Sequence, residues 1–432
     1  MKKKLLSLLL VAAMGVTMLV GCGGTANQGD SQTPGGSQAG DGKSAIETLV
    51  ENSQGKTVKL QVWCSEKPAY QAAMQQVLDN FKAAYPTVTF EISLGAVSEG
   101  AAKDRVLEDP EKAADIFVFA DDQINTLVGA NALQEITTNF TYDPTKTNSP
   151  DSVGATKVND KMYAYPFTAS NGYFLYYDSR YITAEDAKSW DGLLAAAAKA
   201  GKKVGMNMGD AWYVYSFFAG ADLEMYKNED GSNTCEWDCA TGLKVVEAMK
   251  KIADHEAFIS MKPEDAVGRM ASQGDIVAFI DGTWDADPIK AAYADGYAAT
   301  KLPTFKVDGK DVQMGSFAGY KLVGVNSYAK EKAWAMALAE YITSEASQAI
   351  IGPAVTEAPA NIEAAKNPAL AENVALKGLA EQSPFADRQV VGDNYWSPAA
   401  TLGTGIADGT YTNADLAQAL KDAVLGITQP KQ

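Results

Sequence analysis

The chain has one histidine, His255, and four cysteines in 432 residues. A metal centre built on imidazole is therefore not expected, and His255, inside the charged segment KKIADHE, reads as a solvated helix-face residue. Basic runs are equally scarce. Beyond Lys2, Lys3 and Lys4 the basic residues are scattered, and 54 acidic side chains against 37 basic ones give a formal charge of −17. A surface of that sign disfavours nucleic acid, phosphorylated ligands and anionic headgroups, and suits a neutral or cationic ligand. No repeat of fixed period is present, and no apolar run after residue 20 approaches the length of a membrane span. The Gly-rich GTGIADG at 403–409 misses the spacing of a dinucleotide fingerprint. The acidic NEDGSNTCE at 228–236 has its glycine fourth rather than sixth, so it reads as a hairpin turn and not a calcium loop. No cofactor is expected.

What is present begins with an export signal. Lys2 to Lys4 form a charged start, Leu5 to Val20 an apolar run, and Leu19-Val20-Gly21-Cys22 ends in a small residue before cysteine. This order has the form of a lipobox, in which the Cys22 thiol receives a diacylglycerol and becomes the new N-terminus; two acyl chains anchor firmly. A transmembrane helix is the competing reading, on a short apolar run. Residues 23–42, GGTANQGDSQTPGGSQAGDG, contain no large apolar side chain and read as a flexible tether with a reach of ~25 Å. Of the remaining cysteines, Cys235 and Cys239 could close a small disulfide or flank a strand-to-helix junction as thiols.

Residues 43–432 exceed what one hydrophobic core fills, so two lobes are expected. Strand Val58 to Trp63, helix Tyr70 to Tyr85 and strand Val88 to Leu94 make a β-α-β unit; strand Asp115 to Phe119 follows, then a helix from Asp122 to Ala130. A second α/β pattern runs through helix Ala184 to Ala200, strand Lys203 to Met206, helix Trp212 to Phe218, helix Ala240 to Asp254 and strand Ile276 to Ile280. Strands alternating with helices imply parallel sheets covered on both faces. Between the two patterns lies Lys161 to Asp178, KMYAYPFTASNGYFLYYD, with five of the nineteen Tyr and two of the fourteen Phe. It reads as two short strands bent at Asn171-Gly172. Its aromatics either fill a β-rich core or lie along a cleft between lobes; its place between the two patterns makes Tyr163 to Thr168 the end of the first lobe, Ala169 to Gly172 the crossing, and Tyr173 to Tyr177 mostly core of the second, with only Ser170 and Asn171 expected to touch ligand.

In open α/β sheets ligands bind beyond the carboxyl ends of strands. Trp63, Ser65, Glu66 and Lys67 stand at one such end, Asp121 and Asp122 at another, Asp210, Trp212 and Tyr213 at a third, and Asp281 and Trp284 at a fourth. A single Trp after a strand is usually core or cap; of the others, Trp334 is read as core and Trp190 as the cap of a helix start. Aromatic rings and carboxylates together at four ends fit a sugar, whose axial C–H face packs on rings while its rim hydroxyls bond to carboxylates and amides.

At these residues the chain resembles the maltodextrin-binding proteins among the carbohydrate-binding subunits of bacterial import systems. The resemblance rests on VWCSEK at Val62 to Lys67, DIFVFADD at Asp115 to Asp122, YAYPF at Tyr163 to Phe167 and IDGTWD at Ile280 to Asp285. LPTF at Leu302 to Phe305, GSFAGYKL at Gly315 to Leu322, TEAPAN at Thr356 to Asn361 and NYW at Asn394 to Trp396 extend it. It implies a two-lobe α/β fold of the periplasmic-binding-protein-like type II, each lobe a mainly parallel sheet covered by helices, with the ligand cleft between lobes. The lobes would be 43–168 with about 316–362, and 169–315 with about 363–432. It also implies that Glu66, Lys67, Asp122 and Asp121 bond sugar hydroxyls from the first lobe, that Trp212, Trp284 and Trp396 stack on the sugar, and that Asp210 and Tyr213 form a polar edge. Gln123 stands where the family often has Arg, and Ser170 where it often has Glu, so the hydroxyls read here differ.

The expected protein is a non-enzymatic, monomeric, lipid-anchored subunit outside the cytoplasmic membrane. It would deliver malto-oligosaccharides or another oligosaccharide to the permease of an ABC importer. A surface glycoside hydrolase would need a marked acid and nucleophile pair, and a starch adhesin would need its aromatics on one flat exposed face.

Overall fold

The computed structural model describes residues 43–228 and 230–429; the export signal, Cys22 and the tether lie outside the described residues. Alternation builds the strands. Val58, Leu60, Val62 and Cys64 are buried along β1 (Thr57–Cys64) while Thr57 and Lys59 face out. With it, β2 (Thr89–Ala96), β3 (Ile116–Ala120), β4 (Ala164–Asp178), β5 (Lys203–Met206), β6 (Phe258–Ser260), β7 (Ile276–Gly282), β8 (Tyr297–Thr300), β9 (Ser316–Val325) and β10 (Ala386–Arg388) form a ten-stranded sheet. Its order is β6-β5-β7-β4-β9-β3-β1-β2, with β8 paired on β4 and β10 on β9. Parallel groups lie at the two ends, β1 with β2 and β3, and β5 with β6 and β7. The central β4 and β9 run antiparallel to each other and to their other long neighbours β7 and β3.

The aromatic segment forms one continuous strand of 15 residues, not two short strands. What changes at the expected bend is its partner. Ala164 to Gly172 pair with β9, and Tyr173 to Asp178 pair with β7 and β8. The irregularity sits in the β9 pairing, where register shifts on both sides of Lys321. The aromatics of this strand therefore follow the core reading, and it is Asn171 that reaches the cleft. Tyr165 and Phe167 join the core of the first half of the sheet with Val62, Phe81, Val323 and Trp334. Tyr173, Leu175 and Tyr177 enter the core of the second half with Trp190, Phe218, Phe317 and Tyr395, whereas Phe174 and Tyr176 pack on the opposite face with Phe279 and Tyr293.

Helices cover both halves. In α1 (Pro68–Ala84), Met74, Val77, Leu78 and Phe81 follow helical spacing and are buried, with Pro68 suited to the first helical turn. The Phe81 ring meets Tyr341 at 5.3 Å and Trp334 at 6.0 Å; fully burying such a ring contributes about 1.5 to 3 kcal/mol. Three readings change. The helix expected from Ala184 begins only at Trp190, because the Ser189 side chain caps Gly192 N–H, so α2 is Trp190–Lys199. Trp190 is a core residue, 1% exposed, and its Nε1–H donates to Met314 Sδ. His255 lies just beyond α4 (Ala240–Ala253), reached after α3 (Ala211–Gly220), and its Nδ1 accepts the Ala257 N–H rather than facing water on a helix. Cys64, Cys235 and Cys239 are free, and Cys239 Sγ accepts the Gly242 N–H at the start of α4. Asp230-Gly231 turns the hairpin between Met225–Lys227 and Asn233–Cys235, with Gly231 at φ 85°.

Candidate functional site

The carboxyl ends of strands from both halves of the sheet open on one cleft. A cavity of about 390 Å³ is lined by Asp122, Asn171, Asp210, Trp212, Trp284 and Trp396, within the range of small-ligand sites. Glu99, Gly100, Ala120, Lys321 and Gln389 complete its walls. A second cavity of about 380 Å³ shares Asp122, Gln389 and Trp396 with it and extends the cleft toward Asp121 and Arg388.

Local structure holds each side chain. Asp210 ends the turn after β5 and caps α3, accepting the Trp212 N–H at 2.8 Å. Trp212 then packs edge-on against Tyr173, with centroids 4.7 Å apart, and lies 5.6 Å from Trp284. Its Nε1–H donates to Gln389 Oε1 at 2.7 Å, which fixes the indole plane. Trp284 follows β7 after Gly282, and a Cβ at Gly282 would stand 2.1 Å from the Trp284 ring, so this glycine lets the indole lie on the backbone. Trp396 is half-buried against Tyr395 and Phe317 at one end of the wall. Across from these rings, Lys67 Nζ donates to the Trp284 carbonyl at 2.5 Å.

The remaining sequence-predicted positions lie apart from the first cavity's lining. Trp63 packs beside Phe117 and Phe119, its ring over Gly95, where a Cβ would come within 2.6 Å. Glu66 is exposed at the end of β1. Asp121 is 6% exposed, accepts the Tyr320 N–H at 3.0 Å and lines only the second cavity. Tyr213 is 2% exposed, packed on Tyr173 and Trp212. Ser170 is 1% exposed, and its Oγ has no hydrogen-bond partner. Asp281 is fully buried, its Oδ1 taking the Gly282 N–H. Gln123 is also buried and accepts the Lys103 N–H while donating to Glu99 O, so it braces a loop.

Burial dominates the electrostatics. It pushes the Asp121 carboxyl up to about 7, opposed by the Tyr320 N–H and assisted by the charge of Asp122. Asp122 keeps part of its surface open to water, yet the surrounding protein pushes its carboxyl up to about 6. Asp210 is likewise raised by burial, against the Trp212 N–H. Sequence reasoning missed Glu99, Lys321, Gln389 and Glu357. Lys321 Nζ bonds Glu99 Oε1 at 3.2 Å and also Glu357 Oε1. Glu357 and Lys321 sit inside TEAPAN and GSFAGYKL, where neighbouring apolar residues make them read as core strand or loop.

The fold and cleft define a ligand-capturing α/β protein in which one continuous sheet runs through both halves, rather than a separate sheet filling each lobe, and the site lies at the strand ends of both. More particularly, the chain belongs to the bacterial extracellular solute-binding proteins, whose family model matches residues 76–378. It is a binding protein and not an enzyme. A galactooligosaccharide-binding protein of Bacillus subtilis (strain 168) is 25% identical over 317 residues, which is 68% of this chain and 73% of that protein. Among solved structures, one with acarbose is 26% identical with a TM-score of 0.78, covering 86% of this chain and 99% of that one. The maltodextrin binding protein MalE1 from L. casei BL23, solved without ligand, is 25% identical with a TM-score of 0.74, covering 86% and 99%. A cyclo/maltodextrin-binding protein complexed with maltotetraose shares the fold at 22% identity, with a TM-score of 0.69 over 87% and 97% of the two chains. Among the described residues no helix is long and apolar enough to cross a membrane.

Proposed function

We propose that this protein captures malto-oligosaccharides and delivers them to the permease of an ABC importer, held at the outer face of the membrane by a lipid on Cys22 and working as a monomer. The observation that carries the reading is the convergence of three indoles, Trp212, Trp284 and Trp396, with Asp122, Asp210 and Asn171 around one cavity of about 390 Å³. Indoles take the apolar faces of successive glucose rings, and the carboxylates and amide accept and donate to the rim hydroxyls. Glu66, Lys67 and Asp121 extend the polar contacts from the first lobe, and Tyr213, Ser170 and Trp63 support them from behind. The first lobe is 43–168 with about 316–362 and the second 169–315 with about 363–432. Ligand touching both lobes favours their closure. A micromolar dissociation constant corresponds to about −8 kcal/mol.

The relatives with acarbose and maltotetraose support an α-glucan, while the Bacillus relative supports galacto-oligosaccharides as the second reading. Calorimetric titration with maltotriose, maltotetraose and longer maltodextrins, beside galacto-, xylo- and manno-oligosaccharides, separates the two. Heat from the α-glucans alone is expected; heat only from galacto-oligosaccharides transfers the assignment to that class, and silence across the panel overturns the sugar reading. Replacement of Cys22 by Ser is expected to release the protein from cells, and retention would refute the anchor.

A further inference from the structure

The first-lobe wall of the cleft carries a lysine in an unusual setting. Lys321 lies in the middle of β9, lines the cavity, and has a side chain only 10% exposed. Its ammonium is held between Glu99, 12% exposed, and Glu357, 5% exposed. An ammonium has three donors, and these two carboxylates take two of them. Glu99 also lines the cavity, whereas Glu357 stands behind. Around this centre several buried polar atoms have no hydrogen-bond partner: Thr168 Oγ1, whose residue pairs with Lys321 across the sheet, Ser170 Oγ two residues on, and Glu357 Oε2.

Keeping a lysine and two carboxylates this dry is costly, and holding the fold alone does not account for the cluster. Plain packing would be served as well by apolar side chains in the middle of a central strand. A donor and an acceptor side by side on the wall, by contrast, match two neighbouring hydroxyls of a sugar ring, one accepting from Lys321 Nζ and the other donating to Glu99. The opposite wall supplies the indoles that hold that ring flat. We infer that Lys321 and Glu99 form a diol-reading pair that determines which saccharide the cleft accepts, with Glu357 as the positioning residue that fixes the Lys321 ammonium. This rests on the sugar reading above and names the residues that give it specificity. The loop that carries Glu99 is itself braced by Gln123, whose amide donates to the Glu99 carbonyl.

The test uses the full exported chain and the tightest-binding oligosaccharide of the panel. Glu99→Gln, Glu357→Gln and the double variant Lys321→Met/Glu357→Gln, which removes opposite charges together, are titrated calorimetrically and melted without ligand. Each is expected to weaken binding tenfold or more. Glu99→Gln should keep the wild-type melting temperature, and it should also lose the wild-type preference among the oligosaccharides, a change that a merely structural role would not cause. Affinities and preferences within twofold of wild type in Glu99→Gln and in the double variant overturn the inference while leaving the sugar reading intact. A wild-type protein that binds nothing in the panel overturns the sugar reading first and this inference with it.

Discussion

Lys67 Nζ and the Trp284 carbonyl oxygen, 217 positions apart in the chain, meet at 2.5 Å across the mouth of the cleft. The lysine leaves the carboxyl end of β1 as the residue capping α1, and the tryptophan follows β7, so one hydrogen bond ties the strand ends of opposite halves of the sheet. The contact is exposed, which limits its worth to about 1 kcal/mol. Lys67→Met is therefore expected to weaken oligosaccharide binding about fivefold with an unchanged melting temperature of the free protein. Calorimetry and thermal melting check both halves of that statement, and a drop in stability without a loss of affinity would contradict it.

Trp212 is the central ring of its wall, in contact with Tyr173, Tyr213 and Trp284 and fixed through Gln389. Buried aromatic anchors at the centre of a contact surface carry a large share of binding energy. Trp212→Ala should cost about 2 kcal/mol, or roughly 30-fold in affinity. Gln389→Ala frees the indole without removing it and should cost less. Equal losses in the two variants would show that ring orientation, rather than ring contact, dominates.

Asp121 gives a pH dependence of defined sign. Its carboxyl is raised by burial to about 7 in the folded protein, above its ordinary value of 3.8. Between those values the folded state keeps a proton that the unfolded chain has lost, so this group makes stability fall as pH rises from about 4 to about 7. Asp122, raised to about 6, acts in the same direction over a narrower window. Urea unfolding of wild type and Asp121→Asn at pH 5 and pH 8 should show the variant gaining relative to wild type at the higher pH. A gain at the lower pH would reverse the sign and refute the assignment.

Glu340 is a structural counterpart to the cleft carboxylates. Fully buried in helix Lys332–Ile342, it accepts the N–H groups of Phe140, Thr141 and Tyr142 and the Thr141 hydroxyl. Glu340→Ala strands these donors and should lower stability by about 3 to 5 kcal/mol. Because the site lies elsewhere, binding at a temperature where the variant stays folded should match wild type. Chemical denaturation and titration measure the two effects separately.

Much of the fold is written in local pattern. Period-two burial marks Thr57–Cys64, and the spacing of Met74, Val77, Leu78 and Phe81 marks the helix after it, because each element must turn one face or stripe to a core. Strand ends could likewise be located, and the rule that ligands collect beyond them brings Asp122, Asp210, Trp212 and Trp284 together before any coordinates are known.

Which neighbour turns into the cleft was decided by geometry the pattern leaves open. Successive residues on a helix point about 100° apart, so Trp212 faces the cavity and Tyr213 the core. Successive residues on a strand face opposite sides, so Asn171 lines the cavity while Ser170 is enclosed. The sequence by itself determined the alternating elements, the aromatic segment between two patterns and the chemistry at strand ends, since these depend on residues close in the chain. Only the tertiary structure decided that the aromatic segment is one strand changing partners, and that Lys321 stands between Glu99 and Glu357, residues 222 and 36 positions away. Pairings over such distances follow from how whole strands dock, and no local period encodes them.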